Sequence, residues 1–332
     1  MHQYTVFGLA VESAIELPAA RLDAPRRHGL AHDSRREPIE QEPIEVVIRV
    51  HSGADAPLPA AAGAVRSITA SPAEVMLAWD DVGHFVIRAG REIEIWPRRG
   101  VTGRLLGLFV TGSAFALLLC QRGATVLHGS SVALEGQGVG FLGDKGAGKS
   151  TLAMGMQQRG ARLVADDLLA VAGPGLLALP GFCQMKLWPD ALHQLGLSPA
   201  ALKRLRPEVE KRGLPVASQQ TPRPVPLRHL FVMRHSAQIE ITPLNEKQAL
   251  LALLPHWYPA RFGTDVLQQM QAQTRHFAQC VALARGTRVS LLGRPYALAA
   301  LPRVADAVWA YVQAAAPEQQ PQPAGMGEAE SR

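Results

Sequence analysis

A glycine-rich segment, GDKGAGKS at residues 143–150, contains the residue types that bind phosphate. It fits the pattern G-x-x-x-x-G-K-[ST] at every fixed position. Glycines let such a loop turn tightly and direct its N–H groups at phosphate oxygens, while Lys149 reaches the β- and γ-phosphates and Ser150 binds Mg²⁺. The sequence therefore predicts that ATP and Mg²⁺ are cofactors. The predicted nucleotide-binding residues are Gly143, Asp144, Lys145, Gly146, Ala147, Gly148, Lys149, Ser150 and Thr151.

The residues on either side of this loop favour a functional interpretation. VGFL before it has a strand-like pattern, and STLAMGMQQRG after it has a helical one. A strand, a glycine-rich loop and a helix in this order are typical of an α/β nucleotide-binding unit. Without those neighbours, an accidental glycine-rich turn would explain the pattern.

Two adjacent carboxylates follow shortly after the loop, in LVADD at residues 163–167. Because side chains of an extended chain alternate between its two sides, we expect Asp166 and Asp167 to point in opposite directions. One can then face Mg²⁺ and the other a substrate hydroxyl, and phosphoryl transfer uses both roles. A solvated turn at the end of a strand is the alternative, since aspartates are common turn residues.

Three further polar side chains could belong to the same site. His128 ends a strand-like run just upstream of the loop and is followed by Gly129, which favours a site role over a structural one. Lys186 and Arg162 could bind phosphates. A solvated basic surface is the alternative for the last two.

A family resemblance is carried by LHGSSVALEGQGVGFLGDKGAGKSTLAMGMQQRGARLVADDLLAV, which resembles the C-terminal catalytic domain of HPr kinase/phosphorylase. The resemblance implies that His128, Lys149 and Asp167 are catalytic, with Asp167 as the base toward a substrate serine. It also implies that Ser150 binds Mg²⁺, which leaves Asp166 for the metal shell. The implied fold class is α/β (α+β overall), with a P-loop domain like those of HPr kinase and PEP carboxykinase after a β-rich N-terminal region.

A narrower group is similar over most of the chain. YTVFGLAVESAIELP, QRGATVLHGSSV and MKLWPDAL resemble HPr-kinase-like proteins of lasso-peptide biosynthetic clusters, which are similar to peptide serine kinases. This resemblance implies ATP-dependent transfer to a serine hydroxyl of a precursor peptide. HPr kinases form hexamers, so it also implies a homo-oligomer.

One departure from the HPr kinase pattern concerns the metal. That family has a later Ile-Glu-Val-Arg-Gly signature, whereas the counterpart here is Cys183-Gln184-Met185-Lys186, without a carboxylate. The departure argues against a retained phosphorylase direction. It also keeps open an ATP-binding regulatory or assembly module that hydrolyses ATP slowly and has no phosphoacceptor.

The chain divides by pattern into three regions. Residues 1–122 contain short alternating runs, which predict an antiparallel β-rich region that ends in a buried apolar helix at about 104–120. Residues 123–313 form the predicted catalytic domain. Residues 314–332 are polar and proline-rich, which predicts a disordered tail.

Three elements are predicted late in the catalytic domain. Residues 227–233 and 238–244 have the pattern of a strand pair. A helix at 265–284 would place Val266, Met270, Phe277 and Val281 on one face, and a second helix is expected at 295–313.

Composition excludes several classes of protein. With 47% apolar and 19% charged residues, the chain is not mostly disordered. Its three cysteines are far apart in sequence, which argues against a disulfide framework or structural zinc and favours a cytoplasmic location. Its few aromatic residues are not interleaved with basic ones, so nucleic acid is not an expected partner. The apolar run between Arg104 and Arg122 is short for a membrane span, so no membrane association is expected.

Overall fold

The computed structural model describes residues 1–21, 43–52, 66–206, 208–263 and 265–314. In these residues the chain forms two eight-stranded sheets, a three-stranded sheet and eight α-helices. The expected mixed α/β class is therefore confirmed. The tail predicted at 314–332 lies outside the described residues except for Ala314, which ends the last helix.

The first sheet is formed by the N-terminal part of the chain. Its strands are β1 (His2–Val6), β2 (Leu9–Ser13), β3 (Ala20–Arg21), β4 (Val46–Val50), β5 (Arg66–Ala70), β6 (Glu74–Trp79), β7 (Gly83–Arg88) and β8 (Glu92–Pro97). They lie in the order β3-β1-β2-β4-β8-β7-β6-β5. The antiparallel prediction is wrong at β4, which pairs in parallel with both β2 and β8. Only strands joined by a tight turn must be antiparallel, and β4 is not joined to either neighbour in that way.

A long apolar helix follows the first sheet. It consists of α1 (Gly103–Phe109), a π-helical turn (Val110–Ala114) and α2 (Phe115–Gln121). Among the described residues this is the one helix long and apolar enough to cross a membrane. About 72% of its apolar stretch is, however, buried inside the protein. It packs in one core cluster with the first sheet and with Trp257 and Tyr258. The prediction of a buried helix is confirmed.

The remaining strands form the second and third sheets. They are β9 (Thr125–Leu134), β10 (Gln137–Leu142), β11 (Arg162–Ala165), β12 (Leu168–Ala172), β13 (Leu177–Ala178), β14 (Gln184–Leu187), β15 (Arg204–Arg206), β16 (Val209–Pro215), β17 (Val225–His235), β18 (Glu240–Pro243) and β19 (Arg288–Arg294). The second sheet has the order β10-β9-β12-β13-β17-β19-β18, with β11 on β9, and the third has the order β14-β16-β15. The predicted strand pair is wrong in one respect, because β19 lies between β17 and β18 and pairs with both.

Helices cover both faces of the second sheet. They are α3 (Lys149–Gln157) and α8 (Leu301–Ala314) on one face and α5 (Glu246–Leu253) and α7 (Gln273–Gly286) on the other. Two short helices lie elsewhere: α4 (Pro189–Gln194) contacts β16, and α6 (Asp265–Gln269) packs in the core cluster of the first sheet. Adjacent residues of β10 show the two faces, since Phe141 packs in the cluster that contains α3 and α8, and Leu142 packs in the cluster that contains α5 and α7. This packing fixes the end of β10, where the glycine-rich loop begins.

Two helix predictions need correction. The helix expected at 265–284 is broken between α6 and α7, where Gln271 has a φ of 50°. Val266 and Met270 are buried before the break, but Phe277 beyond it is 52% exposed, so the residues do not share one face. The helix expected at 295–313 begins at Leu301, after a 3₁₀ turn at Leu298–Ala300.

Candidate functional site

The glycine-rich loop connects β10 to α3, in the strand–loop–helix context that the sequence predicts. Gly148, the residue before α3, has a φ of 87°. A Cβ atom at this position would collide with the guanidinium of Arg294, so both the backbone angle and the space require glycine. The first N–H groups of a helix are unpaired and carry partial positive charge, so this junction is suited to bind phosphate.

Lys149 is the first residue of α3 and is only 7% exposed. Its Nζ donates to the carbonyl oxygens of Gly143 at 2.8 Å and Asp144 at 3.0 Å. Burial, the largest influence, lowers the pKa of Lys149 to about 8. The loop thus holds an amine that can carry a positive charge at neutral pH.

Asp166 follows the last residue of β11 and is buried. Its Oδ1 accepts a hydrogen bond from the Ser130 hydroxyl at 2.6 Å, and its Oδ2 accepts one from the Lys186 backbone N–H at 2.8 Å. These two bonds fix the carboxylate from two sides. Each carboxylate oxygen has a second lone pair, so Asp166 can still bind a cation.

Asp167 lies at a sharp turn of the chain. Its φ is 72°, and β12 begins at the next residue, so the chain is not extended here. The expectation that the two aspartates point in opposite directions is wrong, because both side chains line one cavity. The division of roles between them stays a prediction.

Three side chains surround the Asp167 carboxylate. Its Oδ2 lies 2.8 Å from Lys186 Nζ. Its Oδ1 lies 3.2 Å from His128 Nδ1 and 3.5 Å from Arg261 Nη1. Burial raises the pKa of Asp167, but the charges of Lys186 and Arg261 and the hydrogen bond from His128 outweigh burial and hold this pKa well below its usual range. Asp167 is therefore an ionised acceptor at neutral pH.

The cavity that contains these groups has a volume of about 300 Å³. From the loop, its lining includes Lys145, Gly146, Gly148, Lys149, Ser150 and Thr151. The other three predicted loop residues are not in the lining but bind side chains that are. The carbonyl oxygens of Gly143 and Asp144 accept hydrogen bonds from Lys149, and that of Ala147 accepts one from Arg294. The charged side chains in the lining are Lys145, Lys149, Lys186, Lys211, Arg261 and Arg294 against Asp166, Asp167 and Asp190. This excess of cations suits a polyanionic ligand.

The apolar N-terminal helix passes close to Asp167, although none of its residues is in the cavity lining. Its π-helical turn contains Gly112, where a Cβ atom would lie 3.3 Å from the Tyr258 hydroxyl, 3.6 Å from Asp167 Oδ2 and 3.8 Å from Lys186 Nζ. Single π-helical turns occur frequently at functional sites. The helix therefore backs the group formed by Tyr258, Asp167 and Lys186.

Sequence reasoning missed two arginines of the site. Arg261 lies in the 3₁₀ helix Tyr258–Phe262, with its guanidinium 4.9 Å from the centre of the Tyr258 ring. Arg294 ends β19. Neither has a local sequence signal, because each reaches the site only through the tertiary fold. Arg162, considered as a phosphate ligand, instead donates to the Gln220 carbonyl at 2.6 Å and is not among the cavity residues.

Residues 121–188 match the family model of the HPr Serine kinase C-terminal domain. No curated protein matches the chain. The matched segment contains His128, the glycine-rich loop, both aspartates and Lys186, whereas Arg261 and Arg294 lie outside it. This segment is thus similar to the catalytic part of an HPr-kinase-like protein, which supports a kinase-like function.

Proposed function

We propose that this protein is an ATP- and Mg²⁺-dependent kinase that transfers the γ-phosphoryl group to a serine hydroxyl of a peptide or protein. One observation carries the proposal: Lys149 of the phosphate-type loop and the ionised Asp167 carboxylate line the same cavity. Binding a nucleotide requires only the loop. Transfer of its phosphoryl group to a hydroxyl also requires a group that accepts the hydroxyl proton, and the carboxylate in the same cavity can do so.

The residues present fit Mg²⁺ and a nucleotide triphosphate. The Ser150 hydroxyl and the Asp166 carboxylate are hard oxygen ligands of the kind Mg²⁺ prefers. Mg²⁺ usually takes one or two carboxylates and completes its shell with phosphate oxygens and water. A cluster of three His, Cys, Asp or Glu side chains, which the described residues do not contain, is therefore not needed. When bound, Mg²⁺-ATP supplies the phosphoryl group and neutralises its charge.

The proposed role of each residue then follows from its position in the cavity. Lys149 and the loop amides would bind and orient the phosphates of the nucleotide. The Asp167 carboxylate would accept a hydrogen bond from the serine hydroxyl and take its proton as the serine oxygen bonds to the γ-phosphorus. The bond from that phosphorus to the β-phosphate oxygen breaks in the same step, which releases ADP. Because Asp167 has a low pKa, it takes the proton late, as fits a loose transition state. Lys186 and Arg261 offset negative charge at the transfer point.

We further propose that the acceptor is a precursor peptide of the lasso type, on the resemblance of the N-terminal and central segments to proteins of such clusters. Gly112 lies beside Asp167, so the apolar helix of residues 1–122 is next to the proposed base. A substrate-recognition role for that region follows from the same contact.

An ATP-binding regulatory module is the second candidate. The 2.8 Å pair between Asp167 and Lys186 favours it, because an aspartate held in an ion pair can be structural. Incubation with γ-labelled ATP and serine peptides separates the two functions. A kinase labels the peptide and not its Ser-to-Ala counterpart, and Lys149→Ala, correctly folded by circular dichroism, gives no label. Release of free phosphate without peptide label, with every candidate peptide, would support the module.

A further inference from the structure

Arg294 is buried directly against the phosphate-type loop. It is the last residue of β19 and is 3% exposed. Its Nη2 donates to the Ala147 carbonyl at 2.8 Å, and the guanidinium occupies the space where Gly148 lacks a side chain. The fold thus fixes a second cation beside Lys149, contributed by a strand far away in sequence.

The charge of this arginine is not compensated by the protein. Within the described parts of the chain, no carboxylate lies within ion-pair distance of its guanidinium, and its Nε has no hydrogen-bond partner. The contacts present are the neutral Ala147 carbonyl and the Tyr296 ring, whose centre lies 5.7 Å from the guanidinium carbon. A buried cation without a counter-charge is strongly unfavourable.

The cavity gives this cation access to an anion. Arg294 lines it together with Lys149, Ser150 and Thr151. A guanidinium forms strong charge-assisted hydrogen bonds with phosphate oxygens, and its planar fork accommodates two of them. Its buried Nε still lacks the hydrogen-bond partner that a phosphate oxygen could supply.

We propose that Arg294 binds a phosphate group of the nucleotide, as a second cationic ligand beside Lys149. The inference rests on the proposed function, since it assigns a further ligand to the same nucleotide. It also agrees with the glycine at position 148, since a side chain there would displace the arginine from the loop.

The test compares Arg294→Met, Arg294→Lys and Arg288→Met by calorimetric titration with ATP, ADP and AMP. Arg288 is the exposed first residue of the same strand and serves as the matched control. We expect Arg294→Met to weaken binding of ATP about 10- to 100-fold, the effect of losing a charged hydrogen bond. Arg294→Lys should recover part of this loss, and Arg288→Met should bind as the wild type does. The shortest nucleotide that shows the loss identifies the phosphate contacted.

Thermal melting without nucleotide separates binding from structure. If Arg294 serves the ligand, removing its uncompensated charge leaves the melting temperature of Arg294→Met equal to or above that of the wild type. Unchanged affinity of Arg294→Met for all three nucleotides would overturn the inference alone. The inference would also be overturned if both Arg294 variants melt at a lower temperature than the wild type while their folded fraction binds nucleotide with wild-type affinity. A wild-type protein that binds none of the nucleotides would instead overturn the proposed function.

Discussion

Raising the pH from 7 to 9 should remove the charge of Lys149 in the nucleotide-free protein. Burial lowers the pKa of this amine to about 8. Its charged fraction then falls from about nine tenths at pH 7 to about half at pH 8 and about one tenth at pH 9. A bound phosphate chain favours the charged amine. Nucleotide binding should therefore take up about 0.5 proton at pH 8 and about 0.9 proton at pH 9.

The sign of this linkage sets the pH dependence of affinity. Because the bound state has the higher pKa, nucleotide affinity is greatest below pH 8 and falls as the pH rises, approaching tenfold per pH unit near pH 9. Calorimetric titration in buffers of different ionisation enthalpy measures the protons directly. Burial also lowers the pKa of Lys211 in the same cavity, so Lys211→Met is the control and should retain most of the uptake.

Two results would refute the reasoning. Binding without proton uptake at pH 8 and 9 would mean that Lys149 stays charged in the free protein despite its burial. Uptake that disappears in Lys211→Met would assign the proton to that lysine instead.

Three further pairs of variants test other parts of the structure. Asp167→Asn should bind ATP normally but transfer about 10²- to 10⁴-fold more slowly in single-turnover assays, since an amide cannot take the proton; Asp166→Asn should instead raise the Mg²⁺ concentration for half activity. Gly112→Val should crowd the Tyr258 hydroxyl and the Asp167 carboxylate and reduce the transfer rate without changing ATP affinity by titration. The single methyl of Gly112→Ala would lie 3.3 Å from the Tyr258 hydroxyl, which must then move by a few tenths of an ångström, so its effect should be much smaller. Phe115→Ala should lower the unfolding free energy by about 3–5 kcal/mol in urea denaturation, because its ring is fully buried, whereas Phe277→Ala, 52% exposed, should change it by no more than about 0.5 kcal/mol.

The parts of the site encoded by neighbouring residues could be predicted from the sequence. The glycine-rich loop lies between its strand and its helix, because turn, spacing and helix start are all local properties of residues 137–157. The buried helix at 103–121 was equally evident, since its apolar residues are continuous in sequence. His128 and Asp167 come together because β9 and β12 are neighbouring strands. The family resemblance implied that both residues are catalytic, but spacing alone did not show that they meet.

The parts that depend on tertiary contacts could not be predicted. Asp167 adopts a left-handed backbone conformation where the chain passes from β11 to β12. Aspartates are common turn residues, but residue type alone does not decide between a turn and a continued strand at LVADD. Arg261 and Arg294 reach the cavity from a 3₁₀ helix and from the end of β19. The position of β19 between β17 and β18 likewise depends on residues distant in sequence, because several helices separate β18 from β19 along the chain.

The helix that carries Gly112 has a consequence for how this protein could be re-engineered. The phosphate-type loop belongs to β10 and α3, whereas the helix beside Asp167 is packed into the core of the first sheet. Under the proposed function, the nucleotide-binding loop and the helix beside the proposed base are thus encoded in separate stretches of one gene. On that proposal, exchanging residues 1–122 between related chains should change the acceptor while nucleotide binding is retained. The shared core sets the condition for success, since a grafted helix must bury the same apolar surface against Trp257 and Tyr258.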